Sequence, residues 1–145
     1  MAIAKISAVR LSFITMLIVL SGCAQKFVAS DYLTLDDKYQ VVIERDHLGV
    51  PHILGDRDVD AAFGFAYAQA EDNWQIIHDT IPFYRGTNAS INGKDAATAD
   101  FLVKWLGIWE TIDRDYETQL KPETRAWIGA FVDGINYYAA LHPEQ

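Results

Sequence analysis

The sequence predicts a protein of the α+β class that is mostly helical, with a pair of strands near the start of its mature part. Residues 39–45 (YQVVIER) are rich in β-branched residues, and Val41 and Ile43 fall on one face, as in a half-buried strand. From Asp58 onward the apolar residues instead recur every three or four positions, which is typical of helices that bury one stripe.

The first 22 residues are predicted to be an export signal that is removed. Lys5 and Arg10 provide a positive start, residues 11–20 are mostly apolar, and the small residues Ser21 and Gly22 follow. The apolar run is about half of the ~20 residues that a membrane-spanning helix needs. It is therefore better suited to a cleavable signal than to a permanent anchor.

Leu20-Ser21-Gly22-Cys23 closely resembles the lipobox of bacterial lipoproteins, in which the cysteine thiol accepts a diacylglycerol. Cys23 is the only cysteine, so no disulfide can form within the chain. The alternative is an ordinary buried cysteine after a plain signal. We expect Cys23 to be the lipidation site, and the mature protein to be exported and held on the periplasmic or extracellular side of a membrane by its lipid.

Charge and length narrow the function classes. The formal charge is −8, and loss of the two positive charges of Lys5 and Arg10 with the signal leaves −10. An acidic surface argues against nucleic acid as a partner. Residues 23–38 are predicted to form a tether, and residues 39–145 to form no more than one small or incomplete domain.

The elements are predicted in the following order. The strand at Tyr39–Arg45 is followed by a turn with Gly49, and by a short returning strand at His52–Leu54. Asp58 is the expected N-cap of the first long helix, and Pro82 is expected to end or kink it. The stripe of that helix comprises Val59, Phe63, Ala66, Ala70, Trp74 and Ile77, with the small residues Ala62, Ala66 and Ala70 beside it.

The second half of the chain is predicted to hold a loop and two further helices. Residues 85–95 contain two glycines and two asparagines, which favours a loop. A helix is expected over residues 99–112, and another from Pro122. The stripe of this last helix comprises Ile128, Phe131, Ile135 and Tyr138.

The sequence contains no self-contained catalytic or metal site that we can identify. The four histidines, His47, His52, His78 and His142, lack helical metal-ligand spacing, although His47 and His52 flank one turn. Glu71 and Asp72 are consecutive and therefore point about 100° apart on a helix, which is poor geometry for two carboxylates that share one substrate. We expect them to form a solvated or ion-paired helix face instead. Ser30 and Ser90 have no evident base. We therefore predict no catalytic residue and no metal ligand in this segment.

The order of several motifs resembles that of the penicillin acylase family. Arg45-Asp46 followed by Gly49-Val50-Pro51-His52-Ile53 is similar to the opening motif of that family. The helix 60–73, which contains Gln69-Ala70-Glu71-Asp72, is similar to the helix that follows it. Arg85-Gly86 with Asn92-Gly93, and the run 133–136 (DGIN), match later landmarks. Together they span residues 39 to about 141.

The resemblance implies an N-terminal-nucleophile hydrolase with a four-layer αββα core, to which this chain would supply edge strands and outer helices. Members of the family are exported precursors that cut themselves, and the later β-chain then begins with Ser. That Ser attacks an amide, and its own α-amino group is the base. The resemblance thus implies an N-terminal part of such a precursor, inactive by itself, with the downstream β-chain region as its partner.

A small N-acyl amide is the implied substrate; penicillins, acyl-homoserine lactones and other N-acyl compounds all remain open. Some members of the family bind calcium, mostly through residues that would follow Gln145. The resemblance therefore implies no cofactor in this segment and allows Ca²⁺ in the complete protein. The alternative function is a helical periplasmic lipoprotein that binds a ligand or scaffolds an envelope complex.

Overall fold

The computed structural model describes residues 27–145, so the predicted signal and the predicted lipidation at Cys23 lie outside the described residues. Within residues 27–145 two strands and six α-helices follow one another, with short 3-10 helices at Ala29–Asp31 and Lys94–Ala96. The strands are β1 (Val41–Arg45) and β2 (Pro51–Gly55), and the helices are α1 (Leu35–Lys38), α2 (Asp58–Arg85), α3 (Ala89–Asn92), α4 (Ala97–Trp105), α5 (Ile108–Gln119) and α6 (Pro122–Leu141). None of the helices within residues 27–145 is both long and apolar enough to cross a membrane.

The predicted strand pair is confirmed as an antiparallel hairpin in which Ile43 lies opposite Ile53. Gly49 has φ +82° in the connecting turn, a conformation that glycine adopts without steric cost. The first strand begins two residues later than expected, since Tyr39 follows α1 directly and is buried. The hairpin packs on α2 where Gly64 leaves room for it: a Cβ on Gly64 would lie only 3.0 Å from Cγ2 of Ile53.

The first long helix differs from its prediction at both ends. Arg57, rather than Asp58, is the N-cap, because the Asp60 carboxylate accepts a hydrogen bond from the Arg57 backbone N–H. The helix also continues past Pro82 to Arg85, and its irregular residue is Asn73, with φ −140° and ψ 31°. Proline lacks only its own N–H and has a helical φ, so the last turn persists until Gly86 adopts a left-handed conformation.

The predicted loop and second helix are also corrected. Residues 85–95 include α3, whose first N–H groups are capped from a distance: the Asp100 carboxylate accepts hydrogen bonds from Asn88 N at 2.9 Å and Ala89 N at 2.8 Å. The helix expected over residues 99–112 is two helices, because Gly107 has φ +60° and breaks it.

The core lies where α6 crosses α2. Tyr39, Phe63 and Ala130 form its buried centre, and Leu35 of the short helix α1 packs against it. The predicted α2 stripe is buried at Phe63, Ala66 and Ala70, whereas Trp74 and Ile77 are half-buried. The buried residues of α6 are Ala130, Gly134, Tyr138 and Ala140. The predicted stripe is therefore fully buried only at Tyr138, whereas Ile128 is 40% exposed. Small residues occupy the contact because the two helices approach closely, and larger apolar residues flank it.

Candidate functional site

Arg45, at the end of β1, joins the hairpin to the middle of α2. Its Nη2 lies 3.0 Å from Glu71 Oε2 and 2.9 Å from Asp72 Oδ1, while Nη1 donates to the Gly49 carbonyl at 2.8 Å. Hydrogen bonds to Glu71 first, and then to Asp72, raise the pKa of Arg45. The prediction that Glu71 and Asp72 form a solvated or ion-paired face is confirmed as an ion pair with one shared guanidinium.

Asp46 closes the turn between the strands. Its Oδ1 accepts hydrogen bonds from Leu48 N at 2.9 Å and from Val50 N at 3.0 Å. These backbone donors, that of Val50 above all, hold the pKa of Asp46 below its usual value. Asp46 therefore organises the turn and is not ion-paired with its neighbour Arg45.

His52 lies on the exposed face of β2, and its Nε2 is 3.4 Å from Asp46 Oδ2. It is a strand residue with a 66% exposed side chain, not a core histidine. Among residues 27–145 no group of three or more His, Cys, Asp or Glu side chains could hold a metal ion. The turn histidines His47 and His52 thus gain no third ligand from the described part of the chain.

Asp60 is a buried carboxylate at the start of α2, with 1% of the residue exposed. It accepts hydrogen bonds from Arg57 Nε at 2.8 Å, Arg57 N at 3.1 Å and Gln40 N at 3.2 Å. The Arg57 guanidinium is the largest cause of its lowered pKa, which is about 2. Gly55 lies directly beside it, since a Cβ there would be 2.7 Å from the Asp60 Cβ. Asp60 thereby joins the start of α2 to Gln40, just before β1, and packs against the end of β2 at Gly55.

The burial of Asp60 was not predicted from the sequence. The available signal was Arg57 three residues before it, at the spacing of a reciprocal cap.

Asp133 of α6 forms a further polar cluster with Lys38 and Tyr39, the residues that lead into β1. Its Oδ2 accepts hydrogen bonds from Lys38 Nζ at 2.8 Å and from the Tyr39 hydroxyl at 2.7 Å. The hydrogen bond from Lys38 to Asp133 raises the pKa of Lys38, and burial raises that of Tyr39. The cluster joins the end of the predicted tether to the last helix.

The polar clusters around Arg45, Asp46, Asp60 and Asp133 hold the hairpin and the helices together, and none of them offers a nucleophile. Each carboxylate at their centres is already bonded to a cation or to backbone N–H groups. Ser90 Oγ donates to the Thr87 carbonyl at 2.7 Å, which is a local turn contact. Among the described residues, no serine hydroxyl is hydrogen-bonded to a histidine or to a carboxylate that could act as its base.

Comparison with known proteins decides the family. Residues 40–145 match the model of the penicillin amidase family. The chain belongs to the penicillin amidase family. Two of the motifs that predicted this membership meet in space, since Arg45 of the opening motif binds Glu71 and Asp72 of the helical motif. Asp133 of the last motif binds Tyr39, which lies just before β1. These landmark residues therefore join the hairpin to α2, and α6 to the residues just before β1.

Two curated relatives match along most of the chain. Penicillin acylase 2 proenzyme of Pseudomonas sp. (strain SE83) is 33% identical over 100 residues, which are 69% of this chain and 13% of that protein. Acyl-homoserine lactone acylase PvdQ of Pseudomonas savastanoi pv. phaseolicola is 30% identical over 121 residues, which are 78% of this chain and 15% of that protein. The chain thus spans about one seventh of the length of these relatives.

A solved member of the penicillin amidase family has the same fold. The thermostable penicillin G acylase from Alcaligenes faecalis superposes with a TM-score of 0.65 at 25% identity, over 73% of this chain and 56% of that chain. The predicted fold class, mostly helical with an N-terminal strand pair and part of an N-terminal-nucleophile hydrolase fold, is confirmed.

Proposed function

We propose that this chain is the N-terminal part of an exported amidohydrolase that cleaves a linear N-acyl amide into an acid and an amine. The match of residues 40–145 to the penicillin amidase family carries the proposal. The names of the relatives support the substrate class, since one is a penicillin acylase and another an acyl-homoserine lactone acylase. One relative is named a proenzyme, in keeping with a precursor that is processed.

The proposed chemistry takes place on a Ser that follows this chain in the precursor and becomes an N-terminus after cleavage. Its hydroxyl attacks the amide carbonyl while its own α-amino group takes the proton. The proton then passes to the departing amine, and water hydrolyses the acyl-enzyme to release the acid. Arg45, Asp60 and Asp133 take no part in these steps. Their role is to hold the hairpin, α2 and α6 together as the scaffold.

The proposed location is the outer side of the membrane, with a lipid on Cys23. Leu20-Ser21-Gly22-Cys23 after an apolar run supports it. The proposed partners are the downstream β-chain region and the membrane lipid.

The test is expression of the complete reading frame, followed by N-terminal sequencing of its products. We expect a new chain that begins with Ser, and hydrolysis of chromogenic N-acyl amides that is lost when this Ser is replaced by Ala. An unprocessed product without amidase activity on penicillins, acyl-homoserine lactones or simple N-acyl amides would contradict the proposal.

A further inference from the structure

The two halves of α2 are packed very differently. Residues 58–70 include six buried positions, among them Phe63, Gly64 and Ala66, whereas residues 71–85 include none. Yet this second half carries several large apolar residues, of which Ile76 is 65%, Ile81 52% and Tyr84 61% exposed. A helix that buries one end and exposes comparable apolar surface at the other has an uncovered face.

That face lines a groove between three helices. The second half of α2 forms one wall, Trp109 of α5 closes one end, and Val132 and Ile135 of α6 form the other wall. We call this the α2–α6 groove; its volume is about 660 Å³. The Trp109 side chain is held in place because its Nε1 donates to the Tyr84 carbonyl at 2.8 Å. This hydrogen bond positions Trp109 at the end of the groove.

The charge of the groove restricts what can cover it. Among the described residues no carboxylate lines it, and its one charged group is Arg85, whose guanidinium lies 4.2 Å from the centre of the Trp109 ring. Within residues 27–145 Arg85 forms no salt bridge. An apolar partner with one acidic residue opposite Arg85 would match both the apolar lining and the single positive charge of the groove.

We propose that the α2–α6 groove is the seat of an apolar helix from the part of the precursor that follows residue 145, with an acidic side chain against Arg85. This inference rests on the proposed function, because it requires a longer precursor. The length is available: the chain spans only 13–15% of its matched relatives and 56% of the matched penicillin G acylase chain.

Two other occupants fit less well. A second copy of the mature part of this chain would bring a formal charge of −10 against another −10, since the −8 of the full sequence loses two positive charges with the signal. A small ligand is normally enclosed over most of its surface, whereas this groove is open to solvent. An amphipathic helix in an apolar groove is a common mode of recognition and needs no enclosure.

The test measures thiol accessibility in the complete precursor, with Cys23 kept as the predicted lipidation site and any later cysteine replaced by Ala. Labelling is measured at each position by peptide mapping. Ile76→Cys places a thiol on the groove, and Ile91→Cys places one on α3 away from it. The pair is matched, because Ile76 is 65% and Ile91 66% exposed in the structure described here. We expect a maleimide to label position 76 more than about tenfold more slowly than position 91 in the native protein, and both at one rate after denaturation.

Equal native rates at the two positions would overturn the proposal. Protection of position 76 that disappears on dilution would overturn it too, since a second copy would then be the cover. A benzophenone attached at position 76 should cross-link to a peptide that follows residue 145, and a cross-link to residues 23–38 would count against the proposal. Should the Ile76→Cys protein misfold, Val132→Cys on the facing wall provides the same readout.

Amidase activity of the same preparations separates the two proposals. An active precursor with an accessible position 76 would overturn the groove proposal and leave the proposed function standing. An inactive precursor in which position 76 is protected and cross-links to a peptide after residue 145 would overturn the proposed function and support the groove proposal.

Discussion

Gly134 of α6 lies against the backbone of Phe63 in α2, so closely that a Cβ on Gly134 would overlap the Phe63 carbonyl oxygen. The same Cβ would lie 2.9 Å from the Cβ of Ala66. Phe63 in turn stacks on Tyr39, with ring centroids 4.5 Å apart. Because glycine has no Cβ, Gly134 allows α2 and α6 to approach this closely, and the core packs at that distance.

Replacing Gly134 with Ala is expected to destabilise the protein. The added methyl group must push α6 away from α2, and overpacking of this kind costs about 1–3 kcal/mol. Gly129 is the matched control, because it lies in the same helix and a Cβ there would meet nothing within 4 Å. Gly129→Ala should be neutral or stabilising by up to about 1 kcal/mol through helix propensity. Denaturant unfolding of the complete precursor measures both, and equal effects of the two substitutions would refute the close contact.

The buried carboxylate of Asp60 predicts how stability depends on pH. Its pKa in the folded protein is about 2, below the ordinary value of 3.8. Its contribution to the free energy of unfolding is therefore fully present above about pH 4 and is lost as the pH falls towards 2. Asp60→Asn should lower the thermal midpoint at neutral pH, and the midpoint of the variant should fall less steeply between pH 4 and 2. Asp95→Asn, which alters an exposed carboxylate, is the control. A variant with the same acid dependence as the parent would contradict the assignment.

The guanidinium of Arg45 is predicted to hold the hairpin on α2. Arg45→Ala removes the contacts to Glu71, Asp72 and the Gly49 carbonyl together. Backbone amides of β1 and β2 should then exchange with deuterium faster, because the hairpin opens locally at lower cost. Arg114→Ala breaks only an exposed pair with the adjacent Asp115 and should leave the exchange of the hairpin unchanged. Unchanged exchange in the Arg45 variant would show that β-strand packing alone holds the hairpin.

The sequence predicted the element types better than their limits, and the reasons are local. Alternation at Val41 and Ile43 and the helical spacing at Phe63, Ala66 and Ala70 reflect burial by neighbouring elements, and both were confirmed. The break at Gly107 was missed because an isolated glycine within an apolar helical pattern does not show whether it adopts a positive φ.

The polar contacts of Asp100 and Asp133 could not be predicted from local sequence patterns, because their partners lie far away in the chain. Asp100 caps α3 from 11 and 12 residues away, and Asp133 binds Tyr39 from 94 residues away, so no local pattern reveals either contact. On α6 the predicted stripe favoured large apolar residues, whereas the close approach to α2 selects Ala130 and Gly134. Family resemblance indicated Arg45, Glu71 and Asp72, and the structure shows that these three residues form a contact between β1 and α2.

Lipidation of Cys23 remains a prediction of the sequence. Cells that produce the precursor should incorporate a palmitate analogue into it, and Cys23→Ala should abolish the incorporation, because no other cysteine is present in residues 1–145. Cleavage after Gly22 should be lost in the same variant. Equal labelling of the parent and the variant would contradict the prediction.

The most direct test compares hydrolysis of a chromogenic N-acyl amide by residues 24–145 and by the complete precursor. The nucleophilic Ser is proposed to follow this chain, so the precursor should hydrolyse the amide and residues 24–145 should have no activity above background. Hydrolysis by residues 24–145 would contradict this placement, whether or not it survives replacement of both Ser30 and Ser90, because it would reveal an active site within this chain.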